Sequence, residues 1–148
     1  RLASDAVASY RAAASASGAD IVTASVIMAG KVITARPGQQ ALHGIRAFVS
    51  GHSVGALIRR QLHERVGYYS GRFPICADHL FFQRAAEAGA RIHISDFVAG
   101  EFTLAGLSGT DVAGILCENY RIGLISGGNR LLLTGLLFLR LLKNFSRL

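Results

Sequence analysis

Between His52 and Ser108 the sequence alternates strand and helix signals at short intervals, and this order constrains the chain to an α/β fold. An apolar strand from Val54 to Ile58 ends in Arg59 and Arg60. Residues 59–66 predict one or two helical turns, and Gly67 to Pro74 a loop rich in Tyr and Gly. Residues 78–88 predict a helix. Phe81, Ala85 and Ala88 share one face of it, and Gly89 stands where helices end in the left-handed conformation. "RIHI" and "FVAGEFTL" read as two short strands. "AGLSGT" reads as a loop, in which Ser108 or Thr110 can cap the next helix. Asp78 opens the 78–88 helix, and an acid in that place is a helix cap or a general base.

The flanks continue the alternation. "SDAVASYRAAASAS" (4–17) is Ala-rich and helical by propensity, with Ser4 or Asp5 as its cap and Gly18 as its end. "ADIVTASVIMAG" is rich in β-branched residues and bounded by Gly30, so it reads as a buried strand with "KVITA" as hairpin partner. Pro37-Gly38 signals a turn, and "LHGIRAFV" is ambiguous. Residues 110–125 predict a helix, and Asn129 to Phe145 a strongly apolar helix punctuated by basic residues. There is no internal repeat. The 148 residues make one domain, long enough to bury roughly 70% of the unfolded surface. Disorder is excluded, because 51% of residues are hydrophobic and only 17% are charged.

The charge is lopsided: 16 Lys+Arg against 9 Asp+Glu, net +7. Such a balance attracts nucleic acid, an anionic membrane face or a phosphate-bearing ligand. Nucleic-acid binders concentrate charge on one helix or interleave it with aromatics. Here the arginines are scattered, and the clearest local excess is Arg130, Arg140, Lys143 and Arg147 in the tail. That favours a membrane surface or phosphate over nucleic acid. The tail's "LLLTGLLFLRLL" falls short of the ~20 residues a bilayer span needs, and Arg140 interrupts it. It is expected to lie in a membrane interface or to pack on the parent domain. Cys76 and Cys117 form no CxxC and have no metal-ligand spacing. A reducing compartment follows, so the expected location is cytoplasmic, peripheral at the membrane at most. His63, His79 and His93 also lack ligand spacing and are expected to be structural or exposed. The chain does not start with Met and residues 1–20 lack the apolar core of a signal peptide, so its natural start is expected upstream.

Six pieces of the 52–108 segment carry a family likeness: His52-Ser53, Arg59-Arg60, Gly67-Tyr68-Tyr69, Ala77-Asp78, Ala88-Gly89 and Ala105-Gly106-Leu107-Ser108. In order and spacing they resemble the C-terminal half of the catalytic domain of inverting family-2 glycosyltransferases, which have a GT-A fold. The likeness covers about two-fifths of the chain and extends weakly back to "LASD" and "GADIVTASV". Ala105 departs from the family's usual Gly. The resemblance implies a partial GT-A-like domain, the acceptor-side half, over residues 1–125, followed by an apolar, basic helix over 126–148. It also implies that the nucleotide-binding half precedes this chain, which alone would then be inactive.

What the resemblance implies chemically is transfer of a sugar from a nucleotide-sugar donor to the hydroxyl of a carbohydrate or lipid-linked acceptor. Asp78 would be the general base that takes the hydroxyl proton. His52 would line the donor or acceptor pocket, and the Gly106–Ser108 loop would close over the diphosphate with backbone N–H groups and the Ser hydroxyl. A divalent cation, Mg or Mn, would neutralise the leaving group, with Asp5 as the one acid left of the metal motif. Each residue also has a plainer reading: Asp78 and Asp5 as helix caps, His52 as a surface or hydrogen-bonding histidine, Gly106–Ser108 as an ordinary loop, and Arg59-Arg60 as a solvated pair rather than a phosphate contact. A competing reading of the whole chain is a non-catalytic module that docks through its tail to a membrane or a partner.

Overall fold

The computed structural model describes residues 1–38, 40–50, 54–102 and 110–148. The architecture is mixed α/β, built on one mixed sheet of four strands. Its centre is β1 (Ile21–Met28), whose first six residues are all buried. A strand that is apolar without alternation must be covered on both faces, and it is. Ile21 joins Phe48, Val49, Leu62, Phe81, Phe82 and Ala85 in one core cluster. Its neighbour Val22 points the other way and joins Ala6, Tyr10, Ala24 and Ala99 in a second.

The helix Ala6–Ser17 (α1) supplies Ala6 and Tyr10 to that second face. Tyr10 packs edge-on to Phe97 at 5.0 Å and donates its hydroxyl to the Val54 carbonyl at 2.9 Å. Gly18 ends α1 as expected, at φ 60° with its N–H on the Ala14 carbonyl. The expected side-chain cap is not made: Asp5 holds the N-cap position at φ −99°, ψ −3°, but its carboxylate caps no N–H. The backbone there is already helical, and a capping side chain needs an extended N-cap residue to reach back.

The strand β2 (Lys31–Ile33) is the hairpin partner of β1. The two-residue loop Ala29–Gly30 has positive φ at both positions (49° and 72°), as the tight turns that suit strand twist require. The strand β3 (Ala56–Ile58) runs antiparallel to Ile21–Thr23, and β4 (Ile92–Phe102) runs parallel to β1 along its whole length. Since β4 fills one edge of β1, β2 and β3 share the other, end to end. Hydroxyls close the gap between them. Thr23 Oγ1 donates to the Gly55 carbonyl at 2.8 Å and accepts from Ser50 N at 3.0 Å, while Ser50 Oγ donates to the Ala24 carbonyl.

Residues 92–102 form one strand, not the two expected. The register slips between Thr23 and Val26 of β1, where β4 carries extra residues. The break in pattern at Ser95-Asp96 is therefore a bulge, which bends a strand without ending it. The ambiguous "LHGIRAFV" is a short helix, α2 (Gln40–His43), running into a 3₁₀ turn, Gly44–Ala47. It delivers Phe48 and Val49 to the first core.

Two helices cover the first face: α3 (Arg60–Val66) and α4 (Ala77–Glu87). Two more follow, α5 (Val112–Ile125) and α6 (Arg130–Lys143). The cap of α5 is neither Ser108, which lies outside the described residues, nor Thr110. Asp111 takes that role and accepts from Gly114 N at 2.6 Å. Asn129 caps α6 by accepting from Leu132 N at 3.0 Å. The two helices meet closely at Gly123, where a Cβ would stand 2.9 Å from Leu133. Tyr120 and Thr134 bridge them through their hydroxyls at 3.1 Å. Arg140 ties α6 to α2 through the carbonyls of Ala41 (2.6 Å) and Leu42 (3.2 Å). Among the described residues no helix is long and apolar enough to cross a membrane.

Candidate functional site

Asp78 is the second residue of α4, not its N-cap; Cys76 holds that position without a side-chain cap. The helix mouth is capped from a distance. Glu118 of α5 is buried, and its Oε2 accepts from Cys76 N at 2.7 Å and Ile75 N at 3.1 Å. A carboxylate placed there satisfies N–H groups that a helix start leaves unpaired and suits the positive end of the helix dipole. Asp78, two positions past the N-cap, serves the same helix start. Its Oδ1 accepts from His79 N at 2.7 Å.

The Asp78 side chain faces a cleft of about 410 Å³. Ala56 and Ile58 of β3 form one wall. Tyr69, Pro74 and Ile75 come from the loop before α4, and Ala77 and Phe82 from α4 itself. That volume admits a sugar-sized ligand, and the lining is mostly apolar around one acid and one phenol. Tyr69 is half exposed, and its pKa is raised by burial and by the negative charge of Asp78. It therefore stays protonated at neutral pH, able to donate. The loop that carries it is held by an aromatic stack: His63 lies on Phe81 at 4.5 Å and on Tyr68 at 5.6 Å, with Tyr69 against Phe81 at 5.3 Å.

Behind Asp78 the helix turns inward. His79 is buried, with Nδ1 donating to Asn119 Oδ1 at 2.5 Å. It borders a cavity of about 90 Å³ between α2, α4, α5 and α6, also lined by Gln83 and Arg140. That space holds only a few waters, so the larger cleft is the better ligand site. The Cys76 thiol is pushed up to about 12, by burial first and then by the charges of Glu118 and Asp78. It is an apolar, unreactive side chain, as its lack of partners in the sequence suggested.

Burial lowers the pKa of His79, helped by Arg140 and opposed by Asn119 and Asp78. As pH falls, the unfolded chain therefore takes up this proton before the folded one. Stability contributed by neutral His79 is full above the ordinary value of 6.5 and is lost as pH falls below it. The melting temperature should be flat from pH 8 to 7 and decline below about 6.5. His79→Asn should reduce that slope in melts across the range; an unchanged slope would assign it to other groups.

His52, Gly106 and Ser108 lie outside the described residues. Asp5 is exposed at the start of α1 and does not line the Asp78 cleft. Among the described residues no three His, Cys, Asp or Glu side chains gather as a metal site. Asp5 alone offers one carboxylate, which by itself does not make the Mg or Mn site that the resemblance implied. Arg59 is structural: it pairs with Asp20 at 3.8 Å and donates to the carbonyls of Gly18 and Ala19. His63 and His79 are structural and His93 is exposed, as expected. Sequence reasoning missed Glu118, and it named Tyr69 only as part of the Gly67-Tyr68-Tyr69 turn, without a role in the cleft. The signal for Glu118 was the one acid of a largely apolar helix, "VAGILCENYRIGLI".

No known protein family, no curated protein and no solved structure matches the chain.

Proposed function

We propose that the Asp78 cleft is the acceptor side of an inverting glycosyltransferase, with Asp78 as general base. Two things support the reading: the ordered motif series of the sequence, and one structural observation. The observation is that the acid in the first turn of α4 lines a sugar-sized cleft together with the Tyr69 phenol.

The chemistry asks little of this wall of the site. An acceptor hydroxyl enters beside Asp78, and one carboxylate oxygen takes its proton as the hydroxyl oxygen attacks the anomeric carbon. The bond from that carbon to the diphosphate breaks on the opposite face, and the diphosphate leaves with the electron pair. Tyr69, which lines the same cleft, would donate to an acceptor oxygen and fix its approach. The apolar walls from Ile58, Pro74 and Phe82 suit an acceptor with a hydrocarbon part or the C–H face of a sugar. His52, Gly106 and Ser108 belong to the donor side of this proposal.

The test is a transfer assay on the whole protein. Nucleotide-diphosphate sugars would be offered with carbohydrate and lipid-linked acceptors, and release of nucleoside diphosphate measured. Release that rises with one acceptor is expected. No release from any donor across the panel would overturn the reading.

A further inference from the structure

We infer that α6 lies flat on an anionic membrane surface, through the face carrying Leu131, Phe138, Leu139 and Leu142, with Arg130 and Lys143 at its borders. This is independent of the reaction proposed for Asp78. The four apolar side chains are 86%, 63%, 64% and 72% exposed. At 3.6 residues per turn, positions 131, 138 and 142 align in one stripe. Phe145, 77% exposed in the turn beyond the helix, prolongs it.

The opposite side of the helix is already occupied. Leu133 is buried against Gly123 of α5. Arg140, which interrupts the apolar run in the sequence, is turned away from the stripe and spends its guanidinium on the Ala41 and Leu42 carbonyls. Folding therefore removes the one charge that would have broken the outward face. The charges that remain at its borders and end are Arg130, Lys143 and Arg147, all exposed, and residues 126–148 contain no Asp or Glu. A second copy of the chain docked there would press like charges together with no acid to pair them. An anionic bilayer answers both features at once. Apolar side chains enter the headgroup boundary, and Arg and Lys at the rim reach lipid phosphates and carboxylates.

The experiment is co-sedimentation of the whole protein with vesicles of phosphatidylcholine alone or mixed with phosphatidylserine. Binding to the mixed vesicles that weakens with salt is expected. Phe138→Ser with Leu142→Ser should lower it at least tenfold with little change in the thermal melt, because both side chains are exposed. Arg130→Gln and Lys143→Gln should each lower it by about fivefold, and Arg140→Gln should leave it unchanged in the folded protein. Equal binding to both vesicle types, or serine variants that bind like the parent, would overturn the inference. So would sedimentation velocity showing a lipid-free dimer that the serine pair dissolves, since the face would then belong to a second copy. No sugar donor is present, so the result is separate from the transfer assay.

Discussion

Under the proposed reaction, Asp78→Asn is expected to lower kcat by about 10²–10⁴-fold, the usual contribution of a general base. Asparagine keeps the side-chain shape and an oxygen that can still accept from His79 N. Loss of the charge in the first turn of α4 costs about 0.3–1 kcal/mol, a shift of a few degrees in the melt. Donor affinity should hardly change, because the carboxylate acts on the acceptor's proton; the loss should appear in kcat with the donor KM preserved. A transfer assay and a thermal melt of the same variant decide the matter. Near-parental turnover in a folded Asp78→Asn protein would make the carboxylate a structural group and end the proposed mechanism.

The second large effect is predicted at a residue outside the cleft lining. Glu118→Ala removes the acceptor for Cys76 N and Ile75 N, which lie under buried side chains of the third core cluster, Phe73, Cys76, Leu80 and Ile122. Hydrogen bonds to a charged group are worth about 1.5–3 kcal/mol each, and donors stranded in the interior carry their own penalty. A loss of about 3–5 kcal/mol is expected, which for a chain of this length is roughly 10 °C in melting temperature. Glu118→Gln keeps one acceptor oxygen and should lose markedly less. Urea unfolding of both variants checks this; an alanine variant as stable as the parent would mean that the distant cap contributes nothing. Because residues 75 and 76 stand three and two positions before Asp78, the same variant should lose the proposed activity even where it remains folded.

Local chemistry made much of the fold legible. Gly18 and Gly89 mark helix ends because only a glycine takes the left-handed conformation without strain. The β-branched run 21–28 can only be a buried strand, and the Ala29–Gly30 turn returns it to β2. What failed was set by partners far away in sequence. Residues 92–102 looked like two strands because a bulge and a turn break the pattern alike; only the full-length pairing with β1 tells them apart. Asp5 looked like a cap, but the cap residue's backbone angles decide whether a side chain can reach, and residue type does not encode them. At the site, Asp78 was legible as an acid at a helix mouth. Glu118 was not, since it acts on residues more than 40 positions before it. Arg59 read as half of a solvated or phosphate-binding pair, and its role on Asp20 and the Gly18 carbonyl depends on where β3 docks.

The pairing of β1 also imposes a timetable on folding. One edge of the strand is filled by nearer residues: a hairpin that closes over two residues covers Val26–Met28, and β3 covers Ile21–Thr23. The other edge waits for residues 92–102, about 70 positions later, and long loop closures of that kind are slow. During that interval the most apolar strand of the chain has one row of backbone N–H and C=O groups unpaired, the state in which chains associate wrongly. The hydroxyl plug of Thr23 and Ser50 draws on nearer residues and can form first. The hairpin, plug and β3 would then present β1 as a half-finished template, with its apolar surface exposed for as long as β4 takes to arrive.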